Sequence, residues 1–254
     1  MRKSTIFLLG YLVSFALLAG CNLGKVDPGV DVPVEGNWSG TYSPPGATQS
    51  AVALALIRRG GIAFFYDADG IVYRLPSFDG GETVQGEVTA YAPPGYRFTT
   101  GYRDEQFTIQ GVAASTGIDG ELQNSVGTGK LDMLPFDVPD SSAPVRQGQW
   151  SGYYVTPTPF FVSLAVNAAG DLTGDDVLGC HLTGKIGENQ PGEDLFDVTI
   201  DSTGPKPMCG GRYTGLAREA DYDTFGYFEH KPGTYYYMGL LNKDAAFVAE
   251  FKVD

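Results

Sequence analysis

Apolar and polar residues alternate along most of this chain with a period of two, the spacing of a strand that buries one face. In Gly36-Asn37-Trp38-Ser39-Gly40-Thr41-Tyr42, for example, Trp38, Gly40 and Tyr42 fall on one face and Asn37, Ser39 and Thr41 on the other. The alternating run Val52-Ala53-Leu54-Ala55-Leu56 follows after a Pro-containing turn. The pattern then returns. Gly148-Gln149-Trp150-Ser151-Gly152-Tyr153-Tyr154 repeats the opening, and Val162-Ser163-Leu164-Ala165-Val166 repeats its successor. Trp38 and Trp150 are the only two tryptophans and stand 112 residues apart, which predicts a duplication of one β-domain of about that length.

Between the two openings, the spacing predicts further strands at 50–58, 62–66, 71–75, 83–91, 96–102, 106–113, 118–123 and 130–134. The second copy predicts strands at 148–155, 160–167, 172–177, 180–186, 195–201, 211–218, 224–230, 235–241 and 245–253. Asp67-Ala68-Asp69-Gly70, Ala169-Gly170-Asp171 and Pro232-Gly233-Thr234 supply turn chemistry between them. No stretch has the 3.6-residue period of a helix. Many short strands joined mostly by tight turns make an antiparallel meander, and about eight such strands lose their exposed edges by closing. The expected fold is all-β: two tandem antiparallel meander β-barrels, at 35–134 and 146–254, joined by a Pro- and Ser-rich linker at 135–145.

The first 21 residues follow another pattern. Arg2 and Lys3 precede an uncharged apolar run, Ile6 to Leu18, of secretory length and too short for a membrane span. The run ends in Leu18-Ala19-Gly20-Cys21, which resembles the lipobox of bacterial lipoproteins. That resemblance implies a lipoprotein signal segment at 1–21 ending at Cys21, cut just before that cysteine, which becomes the lipidated N-terminus. Each buried methylene of the acyl chains contributes ~0.8 kcal/mol, so two or more chains hold a protein stably on a bilayer. Asn22 stands where an Asp would signal inner-membrane retention, which implies the outer membrane. Residues 22–34, with Pro28, Gly29 and Pro33, read as a tether.

The Gly-x-Trp openings resemble the first strand of lipocalin and avidin-type barrels, where the tryptophan plugs one end. The layout of lipobox, tether and Trp-Ser-Gly-headed repeats is similar to that of uncharacterised proteobacterial envelope lipoproteins.

Charge narrows the partners. The precursor stands at −13, and removing Arg2 and Lys3 leaves 15 cationic side chains against 30 carboxylates. Such a chain repels phosphate backbones, which excludes nucleic acid and leaves membrane attachment to the lipid. Export also suits the cysteines: with Cys21 set aside, Cys180 and Cys209 form an even pair in an oxidising compartment and are expected to be bridged.

Chemistry is sparse. No Gly-x-Ser-x-Gly elbow is present, and His181 and His230 have no partner motif for a triad or a zinc site. Asp175-Asp176 and Glu193-Asp194 flank glycine or proline and read as solvated turns, and Asp67-Ala68-Asp69-Gly70 lacks the distal ligands of a calcium loop. No catalytic residue, cofactor or metal site is expected. Binding remains. Aromatics are dense around Phe65 and Tyr73 and around Tyr227, Tyr235 and Tyr237; consecutive aromatics on a strand point to both faces, so some leave the core. With Trp38 and Trp150 they form a candidate ligand or partner surface, although a barrel exterior covered by the neighbouring domain explains them equally well. The expected function is a non-enzymatic interaction or scaffold lipoprotein docking an envelope partner; the alternative is a carrier with a small apolar ligand inside a barrel.

Overall fold

The computed structural model describes residues 36–45, 49–58, 63–75, 83–114, 116–135, 144–189, 195–206, 208–221 and 223–254. The leader, Cys21, the tether and most of the linker lie outside them. The described residues form two closed eight-stranded barrels in tandem. The first comprises β1 (Gly36–Ser43), β2 (Ala51–Ile57), β3 (Ala63–Asp67), β4 (Val72–Leu75), β5 (Thr83–Tyr91), β6 (Asp104–Ala114), β7 (Gly117–Gln123) and β8 (Thr128–Pro135). The second comprises β9 (Gly148–Tyr154), β10 (Phe160–Val166), β11 (Asp171–Asp176), β12 (His181–Asn189), β13 (Phe196–Thr203), β14 (Gly210–Ala220), β15 (Tyr235–Leu241) and β16 (Ala246–Val253). Every strand pairs antiparallel with its sequence neighbours, and the β1–β8 and β9–β16 ladders close the two meanders. Closure leaves neither barrel a bare strand edge.

Two expected strands are absent, which reduces nine per copy to eight. Residues 96–102 form turns, in which Tyr96 N–H donates to the Pro93 carbonyl and Gly101 N–H to that of Phe98. Residues 224–230 form a strap wound around Asp223, whose Oδ2 accepts from Phe228 N–H at 2.7 Å and His230 N–H at 3.0 Å. In both places aromatic content imitates a strand, but β5–β6 and β14–β15 each pair directly, leaving no ladder for an inserted strand.

Three hairpins share one local device. Asp67, Asn167 and Asp176 each start a three-residue loop, and the Oδ1 atom of each accepts backbone N–H groups two and four residues on. The third loop residue must take a left-handed conformation to re-enter the ladder; Gly70 (φ 75°), Gly170 (φ 80°) and Gly179 (φ 85°) do so without a Cβ penalty. Asp67 and Asp176 end the third strand of their respective copies. Each also accepts a tyrosine hydroxyl on Oδ2, from Tyr73 and Tyr154 respectively, both at 3.2 Å.

Both interiors are filled. Trp38, Tyr42, Phe65, Tyr73 and Phe107 pack among aliphatic residues in the first barrel; Trp150, Tyr154, Phe196, Tyr236 and Phe251 do so in the second. Trp150 stacks on Tyr236 with ring centroids 4.1 Å apart, and its Nε1–H donates to the Arg146 carbonyl at 3.1 Å. Only the second barrel carries a disulfide: Cys180 and Cys209 join the β11–β12 turn to the β13–β14 turn.

The barrels meet along a continuous apolar seam. Leu54, Leu56, Phe64, Tyr66 and Val72, on the outer face of β2–β4, pack against Leu216, Tyr235, Tyr237, Leu241 and Val248, on the outer face of β14–β16. Each fully buried Leu or Phe there contributes roughly 1.5–3 kcal/mol relative to exposure. Polar groups pin the contact, since Ala246 N–H donates to the Ala92 carbonyl at 2.9 Å and Arg58 Nη1 donates to Asp197 Oδ1 at 2.6 Å. Gly239 sits where the Tyr66 ring crosses β15, and a Cβ there would lie 3.2 Å from that ring.

Candidate functional site

Two different sites flank the seam, at opposite ends of β15. At its start lies the strap, 223–234, which lays Phe225 against Tyr66 and Tyr237, Tyr227 against Tyr153 and Phe228 against Tyr235, with centroids 5.4–6.4 Å apart. Beneath it is a buried polar cluster. Thr224 N–H donates to the Tyr237 hydroxyl at 2.7 Å and to Glu250 Oε1 at 3.0 Å, and the fully buried Arg218 guanidinium lies 5.3 Å from the centre of the Tyr237 ring. Burial pushes the Glu250 carboxyl up to about 8, with Asp223 adding to the rise and the Tyr237 hydrogen bond opposing it. The raised value favours the protonated form of Glu250, as burial of a carboxyl does. Burial also raises Tyr227 to about 12, helped by Glu250 and Asp223. The strap holds Glu229 (φ 57°) and His230 (φ 54°) in the left-handed region, a conformation that costs a non-glycine residue energy.

At the far end of β15 the barrels part to form a groove of about 650 Å³. Arg58, directly after β2, and Arg74, on β4, line it from the first barrel; Arg212, on β14, and Lys243, in the β15–β16 turn, line it from the second. Among the described residues Asp197 is the sole carboxylate on the wall, and it is engaged with Arg58. Arg74, Arg212 and Lys243 are exposed, whereas Arg58 is mostly covered. Phe64, Leu216 and Leu241 form an apolar floor, with Tyr91, Thr199 and Thr214 adding hydroxyl groups. A second cavity of about 370 Å³ shares Asn242 with the groove and brings Arg103 and Lys206 against Asp244. The mouth of the second barrel, by contrast, is stopped by Pro93 and Pro94 of the first, leaving about 20 Å³.

The sequence-derived candidates distribute as follows. Trp38, Phe65 and Tyr73 lie in the interior of the first barrel and Trp150 in that of the second. Tyr235 and Tyr237 are buried in the seam, so these exterior aromatics are covered by the neighbouring domain. Tyr227 alone of the seven is partly exposed, on the strap. Cys21, Glu193 and Asp194 fall outside the described residues. His181 Nδ1 lies 3.0 Å from Asp175 Oδ1 on an exposed cross-strand pair, and His230 Nδ1 lies 3.2 Å from the Asp223 carbonyl, so each histidine has its own local partner. The groove cations were not singled out by sequence reasoning. Arg58, Arg74, Arg212 and Lys243 are scattered through the chain without a shared motif, and each by itself reads as an ordinary exposed residue.

Comparison with family models, with characterised proteins and with solved structures returns no match to this chain.

Proposed function

We propose that this chain is an outer-membrane lipoprotein, anchored through acyl chains on Cys21, that works by binding rather than catalysis, with the groove between its barrels as the binding surface. The observation that carries this reading is the groove itself. It is open, it draws walls from both domains, and it mixes charged, hydroxyl-bearing and apolar groups as ligand sites do. The packed barrel interiors weigh against the carrier of an enclosed apolar ligand, because Trp38, Tyr42 and Phe107 in one and Trp150, Tyr236 and Phe251 in the other occupy that space. The aromatics of the seam support a scaffold role of a different kind: they set the two barrels in the arrangement that creates the groove.

Two experiments test the reading. Metabolic labelling with an alkyne fatty acid should mark the wild-type chain in the outer-membrane fraction, and Cys21→Ala should abolish both label and fractionation. Purification of the intact lipoprotein from native membranes should bring with it a partner or small molecule that Thr214→Trp, which fills the groove from an exposed position, displaces. A soluble, unlabelled wild-type product, or co-purification indifferent to Thr214→Trp, would overturn it.

A further inference from the structure

We infer that the interdomain groove is an anion site, built for a small molecule or glycan segment carrying at least two phosphate or carboxylate groups. This rests on the reading of the groove as the binding surface and adds the chemistry of what it takes.

The chain has 17 Lys and Arg against 30 Asp and Glu, so a random stretch of its surface is acidic. Among the described residues the groove wall reverses that balance, with Arg58, Arg74, Arg212 and Lys243 against Asp197, while Asp201 and Asp244 lie outside the lining at 3.9 Å from Arg212 and 3.8 Å from Lys243. The adjoining cavity, joined through Asn242, adds Arg103 and Lys206 against Asp244. Six of the 17 cationic side chains thus gather on two cavities that share a wall residue. They come from β4, β14 and four loops of both barrels, an arrangement that only docking produces.

The individual contacts show which cations can receive a ligand. Arg58 is committed to Asp197 at 2.6 Å and fixes one end of the groove. Arg212 reaches Asp201 only at 3.9 Å, with both side chains largely in water, and Lys243 reaches Asp244 only at 3.8 Å. Exposed pairs at such distances hold their partners weakly, so an incoming oxyanion displaces little. Arginine presents a planar fork of N–H donors that matches carboxylate and phosphate oxygens two at a time, and three of the four groove cations are arginines. Opposed walls with cations on each favour a ligand with more than one acidic group. Tyr91, Thr199 and Thr214 provide hydroxyls for the polar body of such a ligand, and Leu216 and Leu241 a floor for its carbon faces. The remote carboxylates do not cancel this field: at physiological ionic strength the screening length is about 8 Å, so contact charges count and distant ones fade.

The test is isothermal titration calorimetry on the full acylated chain in neutral detergent, with three probes: inorganic tripolyphosphate, trigalacturonate and maltotriose. The anion site predicts saturable binding of tripolyphosphate, trigalacturonate or both, weakened by added salt, with no heat from maltotriose. Arg74→Glu combined with Arg212→Glu, both at exposed positions, should lower the affinity at least tenfold, whereas Lys130→Ala, an exposed cation on β8 that lines neither cavity, should leave it unchanged. The preferred anion tells phosphate from carboxylate as the source. Anion binding that survives the double variant would overturn the assignment. Groove-dependent binding of maltotriose alone would overturn the anion class while leaving the groove a binding surface. Silence from all three probes, with co-purification from membranes also indifferent to Thr214→Trp, would remove both the site and the function built on it.

Discussion

β2 and β10 occupy the same place in the two barrels, each paired with a tryptophan-bearing first strand, yet they turn opposite chemistry outward. Trp38 faces Ala55 across the first ladder and Trp150 faces Leu164 across the second, so Leu54 corresponds to Ser163 and Leu56 to Ala165. In β2 the small alanines point into the barrel and the leucines point out; in β10 Val162, Leu164 and Val166 point in, and Ser163 and Ala165 point out. Both strands keep the alternation that a barrel needs. At these matched positions only the first places leucines on the exterior, and there the second barrel covers them.

The seam is consequently unlike on its two sides, β2–β4 of one copy against β14–β16 of the other. A head-to-tail contact of this kind can in principle continue from copy to copy. Among the described residues the corresponding free faces are predominantly polar and offer no continuous apolar seam. Outward positions on β10–β12 include Phe161, Ser163, Ala165, Thr173, Asp175, Thr183 and Lys185, and those on β6–β8 include Gln110, Val112, Asp119, Glu121, Lys130, Asp132 and Leu134, so each face carries only isolated large apolar residues among polar ones. Duplication supplied two similar barrels; divergence of the outward residues decided that one pair of faces docks and the sibling faces stay in water.

The largest expected effect separates those two strands directly. Leu56→Asp places a charge in the closed seam and should cost about 4 kcal/mol or more, whereas Ala165→Asp at the matching half-exposed position should cost under about 1 kcal/mol; urea denaturation of both variants measures the contrast. The disulfide marks the next difference between the copies. Cys180→Ser with Cys209→Ser opens a link across 29 residues and should destabilise the second barrel by about 3.5 kcal/mol on chain entropy, with the first barrel unchanged in a residue-resolved hydrogen-exchange experiment.

A third comparison is by pH. Glu250 is raised from 4.5 to about 8, chiefly by burial, and Asp67 from 3.8 to about 7, again chiefly by burial. Each carboxyl binds its proton more tightly folded than unfolded. Its stabilising contribution is therefore complete below about pH 4 and is lost as pH rises through the folded value. Melting temperature should fall from about pH 4 and level off above pH 8, with a slope that eases near pH 7 where the Asp67 share ends: Asp67→Asn, which keeps the Oδ1 acceptor of the turn, should lessen the fall below pH 7, and Glu250→Gln should also remove the remainder between pH 7 and 8. The smallest effect belongs to a solvent-facing turn. Asn167→Ala removes the acceptor of Ala169 and Asp171 N–H and should cost about 1 kcal/mol, read in the same denaturation assay.

Much of the fold was legible because period-two alternation and turn chemistry are local. The Asp67, Asn167 and Asp176 hairpins can be read from an Asx residue and a glycine three positions on, and both residues act within the loop they form. The strands expected at 96–102 and 224–230 failed for the complementary reason. Their aromatic content is strand-like, but whether a segment joins a sheet depends on a free partner edge, and closure of each barrel had already used every edge. The aromatic residues chosen as a candidate surface were legible as out of place, but not as covered. Tyr235 and Tyr237 alternate with Tyr236, which its own barrel buries, and only the arrival of Leu54, Phe64 and Tyr66 from a distant part of the chain decides that Tyr235 and Tyr237 are buried as well.

The chain by itself therefore determined the all-strand class, the duplication, the position of the turns and the pairing of Cys180 with Cys209, because each follows from residues near one another or from simple counting. The tertiary structure alone decided which outward faces meet, that the barrels hold side chains rather than space, and that Arg58, Arg74, Arg212 and Lys243 share one groove. Those are properties of docking between surfaces made of non-adjacent strands. Alternation states which residues leave a barrel's interior, but carries no record of what they leave it to meet.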